Sequence, residues 1–189
     1  MHWKTLLVPL ALTISPGAAR AQVPDPAIAT VAAFNDTLFA AMHHQVAGLG
    51  AAVAADFNVE IMAGFIVGPP WAAMSTTDHN AVSAALSQYL VARFAGAFDS
   101  FSGEHFQVDG VPQVRGPDKL VRTQVIALNG PPSRLDYRLR AYDGRWRIID
   151  VYLNGVSQLT TQRADLAAIA GSGAQPLVAH LNAATRALQ

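Results

Sequence analysis

Over residues 25 to 50 apolar side chains return every three or four positions: Val31, Phe34, Leu38, Met42, Val46 and Leu49 share one face of a helix that ends at Gly50. Asp25 is placed to cap it, and Pro26 suits the first helical turn, where a missing N–H costs nothing. A shorter helix is expected over residues 56 to 68, capped by Asp56, with Phe57, Ile61 and Phe65 on one side and Gly68-Pro69-Pro70 to stop it. The third helix is the best signalled. Ser75-Thr76-Thr77-Asp78 resembles a capping box, and Val82, Leu86, Leu90, Phe94, Phe98 and Phe101 keep helical spacing until Ser102-Gly103.

Over residues 105 to 153 the period changes to two. The stretches 105–114, 119–128, 134–142 and 145–153 are separated by Arg115-Gly116-Pro117-Asp118, Asn129-Gly130-Pro131-Pro132 and Asp143-Gly144, so consecutive strands pair antiparallel. Asp143-Gly144 is the strongest hairpin signal. After Gly155 helical spacing returns, breaks at Gly171-Ser172-Gly173, and resumes near Pro176 with Leu177, Leu181 and Leu188. Runs of helices and strands, rather than their alternation, give an α+β domain: a four-stranded curved antiparallel sheet with helices packed on one face.

The third strand sorts its side chains cleanly, with Leu135, Tyr137, Leu139 and Ala141 on one side and Arg134, Asp136, Arg138 and Arg140 on the other. The same parity puts Phe106, Val108, Val121, Thr123, Val125, Ala127, Trp146 and Ile148 on the apolar side. That face is either plain core packed against helices or the wall of a cavity for which Thr123 and Ala127 leave room. Ile148-Ile149 interrupts the alternation, and a bulge there would swap faces up to Leu153. The opposite face and its turns hold eight basic residues between Arg115 and Arg147 against Asp118, Asp136 and Asp143. Such a face is either solvated and cross-paired, or it docks on an acidic partner or an anionic head group, for which arginine offers bidentate contacts.

Composition allows two readings, a large alanine-rich helical core or an internal apolar pocket that a ligand fills. Charged residues make up 14% of the chain and hydrophobic ones 51%, against about 25% charged in a typical soluble domain. Part of the excess belongs to the N-terminus, where Lys4, an apolar run over residues 6 to 14 and Ala19-Arg20-Ala21 form a secretory signal peptide cut after Ala21. The run is too short to span a bilayer. Residues 22–189 are then expected as one exported domain, with neither disulfides nor thiolate metal sites because the chain has no cysteine. Losing Lys4 and Arg20 leaves 11 basic against 13 acidic residues, and that balance argues against nucleic acid as a partner.

Little in the chain resembles catalytic chemistry. His43 and His44 are adjacent, point about 100° apart on a helix, and have no ligand at i+4, so they make a poor metal site. Ser157 lacks the following glycine of a nucleophile elbow and is better placed as a helix cap. Asp56, Glu60 and Asp150 remain as carboxylates that can point inward. Asp150 is expected in an ion pair with Arg163. The alternative is a small-molecule isomerase or dehydratase of a cone-shaped α+β fold, with Asp150 or Asp56 as the base.

Two blocks of the sequence resemble a known family. Trp146, Ile148, Asp150-Val151, Gly155-Val156-Ser157 and Gln162-Arg163 are similar to the C-terminal signature of the MlaC family, the periplasmic phospholipid carriers also called the toluene-tolerance auxiliary family. Phe57, Met62, Gly68, Trp71, Ser75, Phe94 and Phe98 match its middle block in order and spacing. The run over residues 135–155 resembles the hopanoid-associated, HpnM-like branch. Gln162 and Leu166 stand where the family usually has aromatics, and Gly68-Pro69-Pro70 is a stiffer connection than usual.

The resemblance implies a cone-shaped, NTF2-like domain that binds and does not catalyse, with no metal and no cofactor other than a bound lipid. It implies a wall for phospholipid acyl chains, or for a hopanoid, made by Phe57, Met62, Phe65, Trp71, Phe94, Phe98, Val121, Val125, Leu135, Tyr137, Leu139, Trp146, Ile148 and Val151. It also implies docking, through a face containing Arg122, Arg138, Arg140 and Arg147, on a membrane-anchored transporter component and an outer-membrane lipoprotein complex.

Overall fold

The computed structural model describes residues 24–42, 48–97, 104–128 and 130–189. The expected signal peptide, His43, His44, Val46, Phe98 and Phe101 lie outside them. The first expected helix is present as α1 (Pro26–Met42), whereas α2 (Leu49–Asp56) begins where that helix is expected to stop and is an addition; α3 (Val59–Val67), a 3-10 turn over Pro69–Ala73 and α4 (Thr76–Ala97) follow. Asp56 closes α2 rather than capping α3. The cap is Asn58, whose Oδ1 accepts from the Ile61 N–H at 3.1 Å, since the chain turns extended at Phe57 and re-enters helix only afterwards. The expected cap of α4 is present: Ser75 Oγ accepts from the Asp78 N–H at 3.1 Å.

Seven strands occur among the described residues where four are expected, and the difference lies in two breaks and one addition. The first expected strand divides into β1 (His105–Val108) and β2 (Gln113–Arg115), and the second into β3 (Asp118–Val121) and β4 (Thr123–Ile126). Arg122 sits at the second break. Its carbonyl accepts from the Asp109 N–H at 2.9 Å, while the Thr123 N–H turns to the Asp136 carboxylate, 3.2 Å away. A side chain has replaced a ladder partner there, and that capture holds Asp136 buried although alternation puts it on the polar face. β5 (Ser133–Tyr142) is the central strand. β3 and β4 lie along one edge, with β2 and β1 beyond them, and β6 (Arg145–Leu153) lies along the other.

The β5–β6 turn is the expected hairpin, with Asp143 and Gly144 both at positive φ, as a two-residue turn of matching twist requires. Opposite Arg138 and Leu139 the register slips: Leu139 faces Ile148 and Arg138 faces Asp150, so Ile149 is the extra residue of a bulge. Val151 and Leu153 thereby stand opposite Tyr137 and Leu135. A two-residue β7 (Val156–Ser157) pairs with the end of β6 and leads into α5 (Gln158–Gly171) and α6 (Ala174–Ala187).

The core lies between the apolar face of the sheet and the helices. Phe34 of α1 meets Phe57, Phe94 and Tyr137 edge to face, with ring centroids 4.9, 5.2 and 6.0 Å away. Val121, Tyr137, Leu139 and Ile148 are buried as parity predicts, whereas Ala141, near the end of β5, is exposed.

Candidate functional site

The core is not filled everywhere. Where α3, α4 and the start of α5 meet the sheet near the β4–β5 and β6–β7 ends, a cavity of about 320 Å³ remains. Met62 and Ile66 come from α3, Leu86, Leu90 and Phe94 from α4, Val125, Leu135 and Val151 from the sheet, and Leu159 from α5. Helical spacing on α3 and α4 aims these side chains inward, and the Ile149 bulge returns Val151 to the same side as Leu135. Tyr89, Arg93, Ala97, Ser133, Asp150, Leu153, Gln158 and Gln162 complete the described lining. Arg93, Ala97, Ser133 and Leu153 are exposed while Met62, Ile66, Leu86 and Leu135 are buried, so the cavity opens beside the former and is floored by the latter.

Of the residues expected to line such a space, Met62, Phe94, Val125, Leu135 and Val151 do so. Phe57, Val121, Tyr137, Leu139 and Ile148 are buried in the packed core beside it. Phe65 and Trp71 stand outside. Phe65 is 40% exposed beneath the Arg163 guanidinium, and Trp71 is stacked on His79 with ring centroids 4.0 Å apart. Trp146 is half-buried under the Lys119 ammonium, 4.4 Å from its ring centroid. Phe98 lies outside the described residues. Leu86 and Leu90 belong to the stripe visible in the sequence, whereas nothing in the pattern marks Ser133, Gln158 or Leu153 as lining.

Asp150 borders the cavity but is fully engaged. Its Oδ1 accepts from the Val151 and Leu159 N–H groups at 2.8 and 3.0 Å, and its Oδ2 from the Ser157 hydroxyl at 2.7 Å. Ser157 in turn accepts from the Thr160 N–H and caps α5. The expected Asp150–Arg163 ion pair is not formed, because Arg163 donates to the Phe65 carbonyl at 3.0 Å and lies on the Phe65 ring instead. Asp56 lies outside the lining, and burial pushes its carboxyl above the usual range despite the charges of Arg145 and Arg147. Among the described residues the lining is apolar apart from Arg93, the engaged Asp150 and a few neutral polar side chains, which suits a greasy molecule. Among the described residues no cluster of three or more His, Asp or Glu side chains is suited to a metal ion.

Residues 22–183 match the family model described as MlaC protein. This chain belongs to the MlaC family. The same architecture recurs in a solved structure from Ralstonia solanacearum, described as a phospholipid-binding protein in complex with a phospholipid; it matches with a TM-score of 0.71 at 20% identity, over 87% of this chain and 99% of that one.

On the polar face of this MlaC-family sheet the arginines differ in what they do. Arg138 and Arg140 converge on Asp118, whose side chain is completely buried. Arg134 pairs with Asp136, while Lys119, opposite Leu139 on the helix-packed side of the sheet, pairs with Asp25 at 2.6 Å. Arg147 is half-buried, its Nε without a hydrogen-bond partner among the described residues, and Arg122 is exposed.

Proposed function

We propose that this chain is an exported lipid carrier that takes the acyl chains of a phospholipid into the cavity between α3, α4, α5 and the sheet, and carries it between an inner-membrane transporter and the outer membrane. The observation that carries the reading is an apolar cavity opening to solvent inside a fold shared with a protein described as phospholipid-bound. A cavity of about 320 Å³ stands at the lower end of the ~300–1,000 Å³ range of ligand sites. Burying a methylene is worth about 0.8 kcal/mol, so ten of them supply ~8 kcal/mol before ordering costs. No covalent chemistry is needed.

Export is supported by the basic, apolar, Ala-Arg-Ala pattern before residue 22, where the family match begins. For docking on protein partners, Arg122 is the arginine best suited among the four on that face, being exposed and outside the ion pairs that engage Arg138 and Arg140.

The test is native mass spectrometry of the mature chain purified without detergent from the cells that produce it, followed by solvent extraction. A stoichiometric phospholipid supports the reading, and a hopanoid in its place would change the cargo and keep the carrier. A clean ligand-free mass, persisting after incubation with phospholipid vesicles, overturns it.

A further inference from the structure

Among the described residues two charged side chains line the cavity, Arg93 and Asp150, and they differ in kind. Asp150 is buried and its carboxylate is satisfied by the chain's own donors. Arg93 is exposed at the opening, and among the described residues no carboxylate pairs with it. The Tyr89 ring lies 6.0 Å from its guanidinium carbon. A cation kept at the mouth of an apolar pocket without an acid is a site for an anion that arrives with the ligand.

Resting on the carrier reading, we propose that Arg93 receives the phosphodiester of the bound lipid and thereby selects anion-bearing diacyl lipids over neutral ones. Position supports this assignment. On α4, Leu86, Leu90 and Phe94 line the cavity, and Arg93 stands at its solvent end beside the exposed Ala97. In a glycerophospholipid the phosphate is attached a few bonds from the ester carbonyls where the chains begin. Chains seated against Leu86 and Leu90 therefore bring that group to the level of Arg93. Gln162, which donates to the Tyr89 hydroxyl at 3.4 Å, puts a neutral polar group on the same lining, suited to ester oxygens. Diacylglycerol or a hopanoid alcohol offers no anion to the guanidinium.

The experiment loads the mature chain from vesicles containing equal amounts of phosphatidylglycerol and diacylglycerol with the same acyl chains, then extracts and quantifies the bound lipid. The expected result is enrichment of the phospholipid by the natural chain and a fall of about tenfold in the phospholipid-to-diacylglycerol ratio for Arg93→Gln, with total lipid per protein retained. Arg93→Lys keeps most of the preference, and Arg115→Gln, which removes an exposed arginine at the end of β2, leaves it unchanged. An unchanged ratio in Arg93→Gln overturns the inference while the carrier reading stands, as does an equal fall in Arg115→Gln, which makes the effect one of general charge. If added palmitate displaces the phospholipid in an Arg93-dependent manner, the anion is a carboxylate and the phosphodiester assignment fails. Absence of both lipids from the natural chain counts against the carrier reading itself.

Discussion

Arg140 holds the Asp118 carboxylate with both arms of its guanidinium, Nε 2.5 Å from Oδ1 and Nη2 3.0 Å from Oδ2, across a directly paired position of β3 and β5. Arg138 Nε adds a third hydrogen bond at 2.7 Å. Burial alone pushes the Asp118 carboxyl up, and the two arginines outweigh it and bring it below the usual carboxylate range. A carboxylate depressed in the folded state contributes stability above its unfolded value of about 3.9, and that contribution fades as pH falls through the lower folded value. Arg140→Gln should cost about 1–2 kcal/mol near neutral pH, discounted because the arginine side chain is 38% exposed. With the arginine contribution reduced, burial counts for more and the carboxyl moves up, so the gap to the natural chain should narrow below about pH 4. Urea denaturation at pH 7 and pH 3.5 checks both the size and the sign. A gap that stays constant with pH would show that the pair is not linked to Asp118 ionisation.

The Asp150 carboxylate gives a second prediction, which separates structure from chemistry. It satisfies two backbone N–H groups at the junction of β6 and α5, and its partner Ser157 caps α5. Asp150→Ala should destabilise by about 3 kcal/mol, since each buried N–H left alone costs ~1–3 kcal/mol. Ser157→Ala should cost about 1–2 kcal/mol. Both losses are read by chemical denaturation. A general base replaced in this way would leave stability nearly untouched, and that outcome would reopen the enzymatic alternative.

Tyr137 and Asn35 form a polar pair inside the aromatic cluster, the Tyr137 hydroxyl donating to Asn35 Oδ1 at 2.6 Å. Burial pushes the phenol far above its usual range, so it stays a neutral donor at every working pH. Tyr137→Phe should cost about 1–3 kcal/mol, because Asn35, whose Nδ2 has no partner among the described residues, then also loses the donor to its Oδ1. The double substitution Asn35→Leu with Tyr137→Phe should recover a large part of that loss, and a double-mutant cycle measures the coupling. Strict additivity would mean that the hydrogen bond contributes nothing.

How far the fold was legible follows from which forces are local. The Ser75 cap, the apolar stripe of α4 and the Asp143-Gly144 turn act within a few residues and stand where the pattern puts them. Ile148-Ile149 signalled the bulge, though not which residue would be the extra one. The break at Arg122 was invisible because Val121, Thr123 and Val125 keep perfect alternation through it; the cause is the Asp136 carboxylate thirteen residues away, taking an N–H from the ladder. The candidate site was half legible for a similar reason. Strand parity names the apolar face, but core and cavity wall are equally apolar, and only the convergence of three helices at one end of the sheet decides that Leu135 and Val151 border space while Leu139 and Ile148 do not.

That distinction makes the last prediction. In a packed interior added volume costs about 1–3 kcal/mol, whereas in a void it gains contacts. Leu139, fully buried opposite Ile148, should not tolerate a larger ring, and Leu139→Trp should lower Tm by several degrees. Leu90 lines the cavity from α4, so the extra volume of Leu90→Trp falls into unfilled space and Tm of the delipidated chain should hold or rise. Occupying that space should also exclude a ligand. Lipid extracted per protein after incubation with phospholipid vesicles is expected to fall at least tenfold in Leu90→Trp. Equal destabilisation by the two tryptophans would mean a packed interior at both positions; an undiminished lipid load in a stable Leu90→Trp would place the acyl chains elsewhere.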